Sequence, residues 1–210
     1  QEWWVNFTAI DTTTGLPITG FQTRQWDVDG TMIGSWNWAK EFEINSDGIR
    51  IDHTSNFSAF ANFGFAHVDD EWSQVITENT VLTRYFNLNL SSVAYESAEV
   101  YASGEVWEPG QKVPKWSEIN VLVTIANPTD YNFSNLFLDM DINNNKGFAR
   151  ASLSLSPNSE TIGNISWQAS LEGPLSLKIT TSLELSSSAN RTLSMSKFVE
   201  VGSKDVEEKE

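Results

Sequence analysis

Apolar residues recur at every second position along most of this chain, the spacing of extended strands with one buried face, and helical spacing is nearly absent. The pattern is plainest in the second half. Ile119, Val121, Val123 and Ile125 alternate with Asn120, Leu122, Thr124 and Ala126. Leu136, Leu138, Met140 and Ile142 form the next row, with Phe137, Asp139 and Asp141 facing the other way. Ala149, Ala151, Leu153 and Leu155 follow, then a strand over 161–169. The longest alternation is Leu175, Leu177, Ile179, Thr181, Leu183 and Leu185, before a last strand over 190–201. The breaks fall at Asn127-Pro128-Thr129-Asp130, Asn143-Asn144-Asn145-Lys146-Gly147 and Ser156-Pro157-Asn158-Ser159, residue types that favour turns.

The first half predicts strands over 18–28 and 31–38 around an Asp29-Gly30 turn, with Met32, Trp36 and Trp38 on one face. Phe42 and Ile44 are expected to pair with Ile49 and Ile51 across an Asn45-Ser46-Asp47-Gly48 hairpin turn. Residues 57–68, with Phe57, Phe60, Phe63 and Phe65, read as one long strand bent near Gly64, and Asp69-Asp70-Glu71 as a solvated turn. Strands over 81–90 and 93–106 precede the breaker cluster Glu108-Pro109-Gly110-Gln111-Lys112-Val113-Pro114, which marks a sub-boundary near 108–115. The fold class expected is all-β, an immunoglobulin- or pilin-like β-sandwich with an extended N-terminal strand.

That strand is Glu2-Trp3-Trp4-Val5-Asn6-Phe7-Thr8-Ala9-Ile10. Trp3, Val5, Phe7 and Ala9 share one face; Trp4, Asn6, Thr8 and Ile10 share the other. Asp11-Thr12-Thr13-Thr14-Gly15-Leu16-Pro17 follows as a polar tether. The expected organisation is an N-terminal strand and tether over 1–17, a sandwich head over 18–203 and a charged tail over 204–210. So apolar a terminal strand needs a sheet, either its own or a neighbouring molecule's.

Composition narrows the function. A net charge of -15 offers no basic patch for nucleic acid or for an anionic membrane surface. No apolar run approaches the roughly 20 residues of a membrane helix, so no membrane insertion is expected. Cysteine is absent, which excludes disulfides and thiolate chemistry. The first residue, Gln1, is read as the mark of a removed leader. Asn6, Asn56, Asn89, Asn132, Asn164 and Asn190 each open an Asn-X-Ser/Thr sequon, where about three would arise by chance in so polar a chain. Together these predict an extracellular glycoprotein at a cell surface.

Catalytic signatures are sparse. His53 and His67 are the two histidines, and no Gly-x-Ser-x-Gly, phosphate loop or dinucleotide fingerprint occurs, so neither an enzyme nor a cofactor is expected. Asp27 with Asp29, and Asp69 with Asp70 and Glu71, could serve as an acid–base pair but read as turn residues. Asp139 to Gly147 spaces oxygen ligands in the manner of a calcium loop. It lacks the terminal bidentate Glu and the mid-loop Gly, and Met140 and Ile142 continue the strand, so no metal is assigned. Trp26, Trp36 and Trp38, with Asp27 or Asp29 nearby, could stack on sugar rings or could fill the core.

Two resemblances bear on function. The stretch from Ile119 to Trp167, with Ile-Asn-Val-Leu-Val-Thr-Ile-Ala-Asn-Pro-Thr-Asp-Tyr and a later Ser-Pro-Asn-Ser-Glu turn, resembles the immunoglobulin-like domains of the water-stress and late-embryogenesis family. The whole layout resembles the subunits of archaeal threads, surface filaments similar in architecture to bacterial type I pilins. The features shared are the N-terminal strand, the Thr-rich tether, the Cys-free β head and the sequons. The resemblance implies donor-strand complementation, with Trp3, Trp4, Val5, Phe7 and Ala9 inserted into the next subunit. The function expected is a structural subunit of an extracellular glycosylated filament, polymerising head to tail with itself and able to meet other cells or surfaces. The alternative is a secreted carbohydrate-binding or adhesive module.

Overall fold

A computed structural model describes residues 2–18, 20–27, 29–30, 32–37, 41–50, 53–186 and 189–202, with side chains for 7–18, 20–26, 29–30, 54, 56–185 and 190–202. The fold is all-β. The strands are β1 (Glu2–Asp11), β2 (Gln22–Asp27), β3 (Met32–Asn37), β4 (Glu41–Arg50), β5 (His53–Phe63), β6 (Ala66–Ile76) and β7 (Thr80–Phe86) in the first half. After a short 3-10 turn at Leu90–Ser92 come β8 (Ala94–Ala102), β9 (Glu105–Val106), β10 (Lys112–Pro114), β11 (Glu118–Asn127) and β12 (Asn132–Ile142). β13 (Gly147–Leu155), β14 (Ser159–Gln168), β15 (Gly173–Ser186) and β16 (Ala189–Gly202) complete the chain order.

The chain divides into two compact units. The first holds residues 1–90 with 128–132, the second 91–127 with 133–210. The division falls at Leu90/Ser91, and the breaker cluster near 108–115 lies inside the second unit, where it turns the chain between β9 and β10. Residues 128–132 belong to the first unit because Asn87 grips them. Its Nδ2 donates to the Pro128 carbonyl at 2.9 Å, its N–H to the Asp130 carboxylate at 2.5 Å, and the Asp130 N–H returns to the Asn87 carbonyl at 2.9 Å.

The second unit is a sandwich. One sheet runs β10-β16-β15-β12-β13 and the other β14-β11-β8-β9. The rows Ile119/Val121/Val123/Ile125, Leu138/Met140/Ile142 and Leu175/Leu177/Ile179/Thr181/Leu183 are all buried, as the alternation predicts. Across the interior the Tyr95 hydroxyl on β8 donates to Thr181 Oγ1 on β15 at 2.8 Å. Asn143, Asn144 and Asn145 all take positive φ, which Asn tolerates better than other side chains.

The first unit sets a sheet β4-β1-β7 against a sheet β6-β5-β2-β3. Three expectations are corrected here. Residues 45–48 do not turn a hairpin: β4 runs through them as an irregularity, and Phe42, Ile44 and Ile49 pair with Phe7, Val5 and Trp3 of β1. The long-range partner wins over the local turn signal; Ile51 lies outside the described residues. The aromatic run is not one bent strand but a hairpin, β5 and β6, reversing at Gly64-Phe65 with Gly64 at φ 58. Asp69-Asp70-Glu71 is no turn either. It lies within β6, where the alternation sends Asp70 inward to Arg84 and leaves Asp69 and Glu71 exposed. The tail over 204–210 lies outside the described residues.

Candidate functional site: the N-terminal strand and its slot

β1 is the middle strand of its sheet. It runs antiparallel to β4, with Phe7 opposite Phe42 and Thr8 opposite Glu41, and parallel to β7, with Phe7 opposite Leu82 and Ala9 opposite Arg84. Its backbone is therefore laddered on both edges within its own chain. Phe7 and Ala9 are 3% and 2% exposed, so the face assigned from the alternation is the inner one. Trp3 and Val5 are placed by backbone pairing only, Trp4 falls at the register shift between them, and the side chains of all three lie outside those described.

The slot that receives β1 is lined by aromatics of the facing sheet. The Phe7 ring lies 5.5 Å from Trp72 of β6, which stacks in turn on Phe57 at 5.5 Å. The Arg84 guanidinium sits 4.5 Å from the Trp72 ring, and its Nε donates to Asp70 at 2.5 Å. Phe21 stacks on Phe86 at 5.2 Å lower in the same interior. Removing β1 would leave β4 and β7 each with an unpaired ladder above an open apolar floor, which a folded protein does not tolerate alone.

The stretch read as a tether is a compact turn. The Asp11 N–H donates to the Leu16 carbonyl at 3.0 Å, Gly15 N–H to the Asp11 carbonyl at 2.8 Å, and Ile18 N–H to the Ala9 carbonyl at 2.8 Å. Gly15 takes φ 69, the left-handed conformation the turn requires. Thr12 N–H reaches the Phe86 carbonyl at 2.9 Å. The Asp11 carboxylate collects Thr13 N–H at 3.0 Å, the Thr14 hydroxyl at 2.8 Å and Leu88 N–H at 3.4 Å. Burial works against its charge, but these hydrogen bonds prevail and hold the carboxyl below its ordinary value. Nearby, burial and the charge of Asp11 push the Tyr131 phenol up to about 12. Asp11 was legible only as linker, although an Asp followed by Thr at two and three residues on and then Gly is the pattern of a side-chain-closed turn.

The other candidates scatter. Of the sequon asparagines, Asn164 on β14 and Asn190 on β16 are exposed; Asn56, Asn89 and Asn132 are half-buried; the Asn6 side chain is outside those described. Asp139 is held by Arg150, whose Nε and Nη2 donate to its two oxygens at 2.6 and 2.8 Å, and Asp141 Oδ1 accepts the Asn145 N–H at 2.8 Å. The first contact braces β12 against β13 and the second closes the turn between them, and no group of three or more metal-ligating side chains occurs among the described residues. His67 packs on Phe60 at 5.6 Å, and the His53 side chain is outside those described. Trp26 is half-buried on β2, Trp36 is placed by backbone only, Trp38 lies outside the described residues, and Asp29 is exposed in a turn. The Asp27 side chain is likewise outside them.

A cleft of about 440 Å³ opens beside Trp26, lined by Gly30, Asn56, Phe57, Glu71, Trp72 and Ser73. No helix among the described residues is long and apolar enough to cross a membrane. No protein-family model matches the chain, and no curated protein matches it.

Proposed function

We propose that the chain is a structural, non-enzymatic subunit of an extracellular glycosylated filament whose copies join head to tail by exchanging β1. The observation that carries this reading is the position of β1. It fills a one-strand slot between β4 and β7, and the chain leaves it through a short turn over 11–17. A second copy's β1 can make the same ladders and bury the same Phe7 and Ala9. Released, that turn spans at most about 25 Å, enough to hand the strand to a neighbour. Passed one way, head to tail, each exchanged strand leaves its own slot for a third copy and so propagates a fibre, whereas two copies trading strands would close as a dimer.

The closed form competes. A tethered strand sees its own slot at an effective concentration in the millimolar range, so exchange needs crowded subunits or an assembly step that keeps β1 out. The Cys-free chain makes the test clean. One batch carries Thr8→Cys and another Glu41→Cys, at positions that face each other across β1 and β4. The batches are unfolded together, refolded at high concentration and oxidised. Mixed disulfide dimers, with fibres by electron microscopy, support exchange. Monomers only, under conditions where the doubly substituted chain does crosslink to itself, reject it.

A further inference from the structure

We propose that the Trp26 cleft binds a pyranose sugar, either the chain's own N-glycan on Asn56 or a glycan offered from outside. The argument begins with β2. Thr23 and Gln25 are 2% and 0% exposed, so the odd positions face the interior and Trp26 stands on the opposite face. A half-buried Trp on the outer side of a sheet is not core. Its cross-strand neighbour is Asn56 of β5, and the neighbour of Asn56 is Ser73 of β6, so the three form one rung of that face. The next rung, two residues on, brings Arg24, Ser58 and Glu71. The cleft opens over the first rung and Glu71 of the second, beside the Asp29-Gly30 turn.

The lining selects the ligand class. An indole surface suits the C–H face of a sugar ring, while a carboxylate, an amide and a hydroxyl suit its ring of hydroxyl groups. None of the described lining residues is cationic, Arg24 standing outside the lining on Glu71's rung, and Glu71 repels anions, which sets the cleft against phosphorylated ligands. A purely apolar ligand would strand Asn56, Glu71 and Ser73 without water. The volume falls in the range of small-ligand sites, about 300–1,000 Å³.

Asn56 adds a second source for the same chemistry, because it opens the sequon Asn56-Phe57-Ser58. The Ser73 hydroxyl donates to Asn56 Oδ1 at 2.5 Å, so Ser73 engages the oxygen branch of the amide and not Nδ2, the atom a glycan is attached to. A first sugar there would start one rung position from Trp26.

The test follows the indole N–H resonance of Trp26, assigned with Trp26→Phe. Protein from a host without N-glycosylation is titrated with N-acetylglucosamine and with methyl glycosides of glucose and mannose, up to about 10 mM. An external ligand shifts that resonance saturably, and Glu71→Gln, at an exposed position, weakens binding about threefold or more. Trp26→Ala weakens it about tenfold; should that variant not fold, Glu71→Gln carries the comparison. Protein from an N-glycosylating host is mapped for occupancy at Asn56, and its Trp26 resonance is compared with that of Asn56→Gln from the same host. A glycan on Asn56 with a displaced Trp26 resonance assigns the cleft to the chain's own sugar. The proposal is overturned when none of the free sugars moves Trp26 and Asn56 is either bare or glycosylated with no effect on Trp26.

Discussion

The Asp11 carboxylate accepts the backbone N–H of Leu88 at 3.4 Å, across 77 positions of sequence. The same carboxylate holds Thr13 N–H and the Thr14 hydroxyl. One side chain thus latches the turn that follows β1 to the chain leaving β7, the strand β1 lies along.

Asp11→Ala is expected to loosen that latch. It removes the acceptor of three hydrogen bonds in a partly exposed turn, a loss of about 1 kcal/mol. The cost falls on the closed form, since an exchanged strand draws the turn out straight. The exchanged fraction in the mixed Thr8→Cys/Glu41→Cys experiment should therefore rise about fivefold. Equal fractions for Asp11→Ala and its parent would show that the turn does not restrain β1.

Acid should act at the same place. Asp11 titrates below its ordinary value of 3.8 in the folded chain, so its stabilising contribution is present above that value and is lost as pH falls through the lower folded value. The Leu88 and Thr13 amide resonances should move together with that titration. Asp11→Asn should leave both flat over the same range while keeping an acceptor oxygen.

The second unit was legible because every level of its sequence agrees. Leu175 to Leu183 alternates strictly, and the Asn143–Asn145 turn supplies the residues that accept positive φ. The first unit was harder because its decisive pairings are remote. Ile44 and Ile49 look like two sides of one hairpin, and only β1, more than thirty positions upstream, explains why they are not. The reversal at Gly64 was masked by the flanking Phe63 and Phe65, the second of which is 54% exposed. Acidic residues at 69–71 imitate a turn, yet Asp70 is an inward strand residue with its own arginine. Of the cleft beside Trp26, the Trp itself could be named from sequence, but Asn56, Glu71 and Ser73 join it only through register.

Alkaline titration should separate the tyrosines. Burial pushes the Tyr95 phenol up to about 12 against the opposing effect of its hydrogen bond to Thr181, and Asp139 adds to the rise. With the folded value above the unfolded value near 10, this contribution is complete below about pH 10 and is lost as pH rises through about 12. Ultraviolet titration should show Tyr95 ionising only as the second unit melts. Tyr95→Phe should abolish that step and cost about 1 kcal/mol, since Thr181 is left buried without this donor.

Gly163 tests how tightly the second unit is packed. A Cβ placed there would lie 3.0 Å from Leu138 Cδ2 and 3.4 Å from Leu153 Cδ1. Leu138 is fully buried, so its side chain must shift within the core to admit the methyl, and Gly163→Ala is expected to cost about 1–3 kcal/mol through overpacking. Leu138→Ala alone should cost about 2–5 kcal/mol, because it empties the space on the other side of the same contact. The two changes compensate: the added methyl of one fills part of the void left by the other. The double variant should then be more stable than the sum of the single effects by about 1 kcal/mol or more in urea denaturation. Strict additivity would mean that Leu138 moves freely aside, and that this face of β14 is looser than its glycine implies.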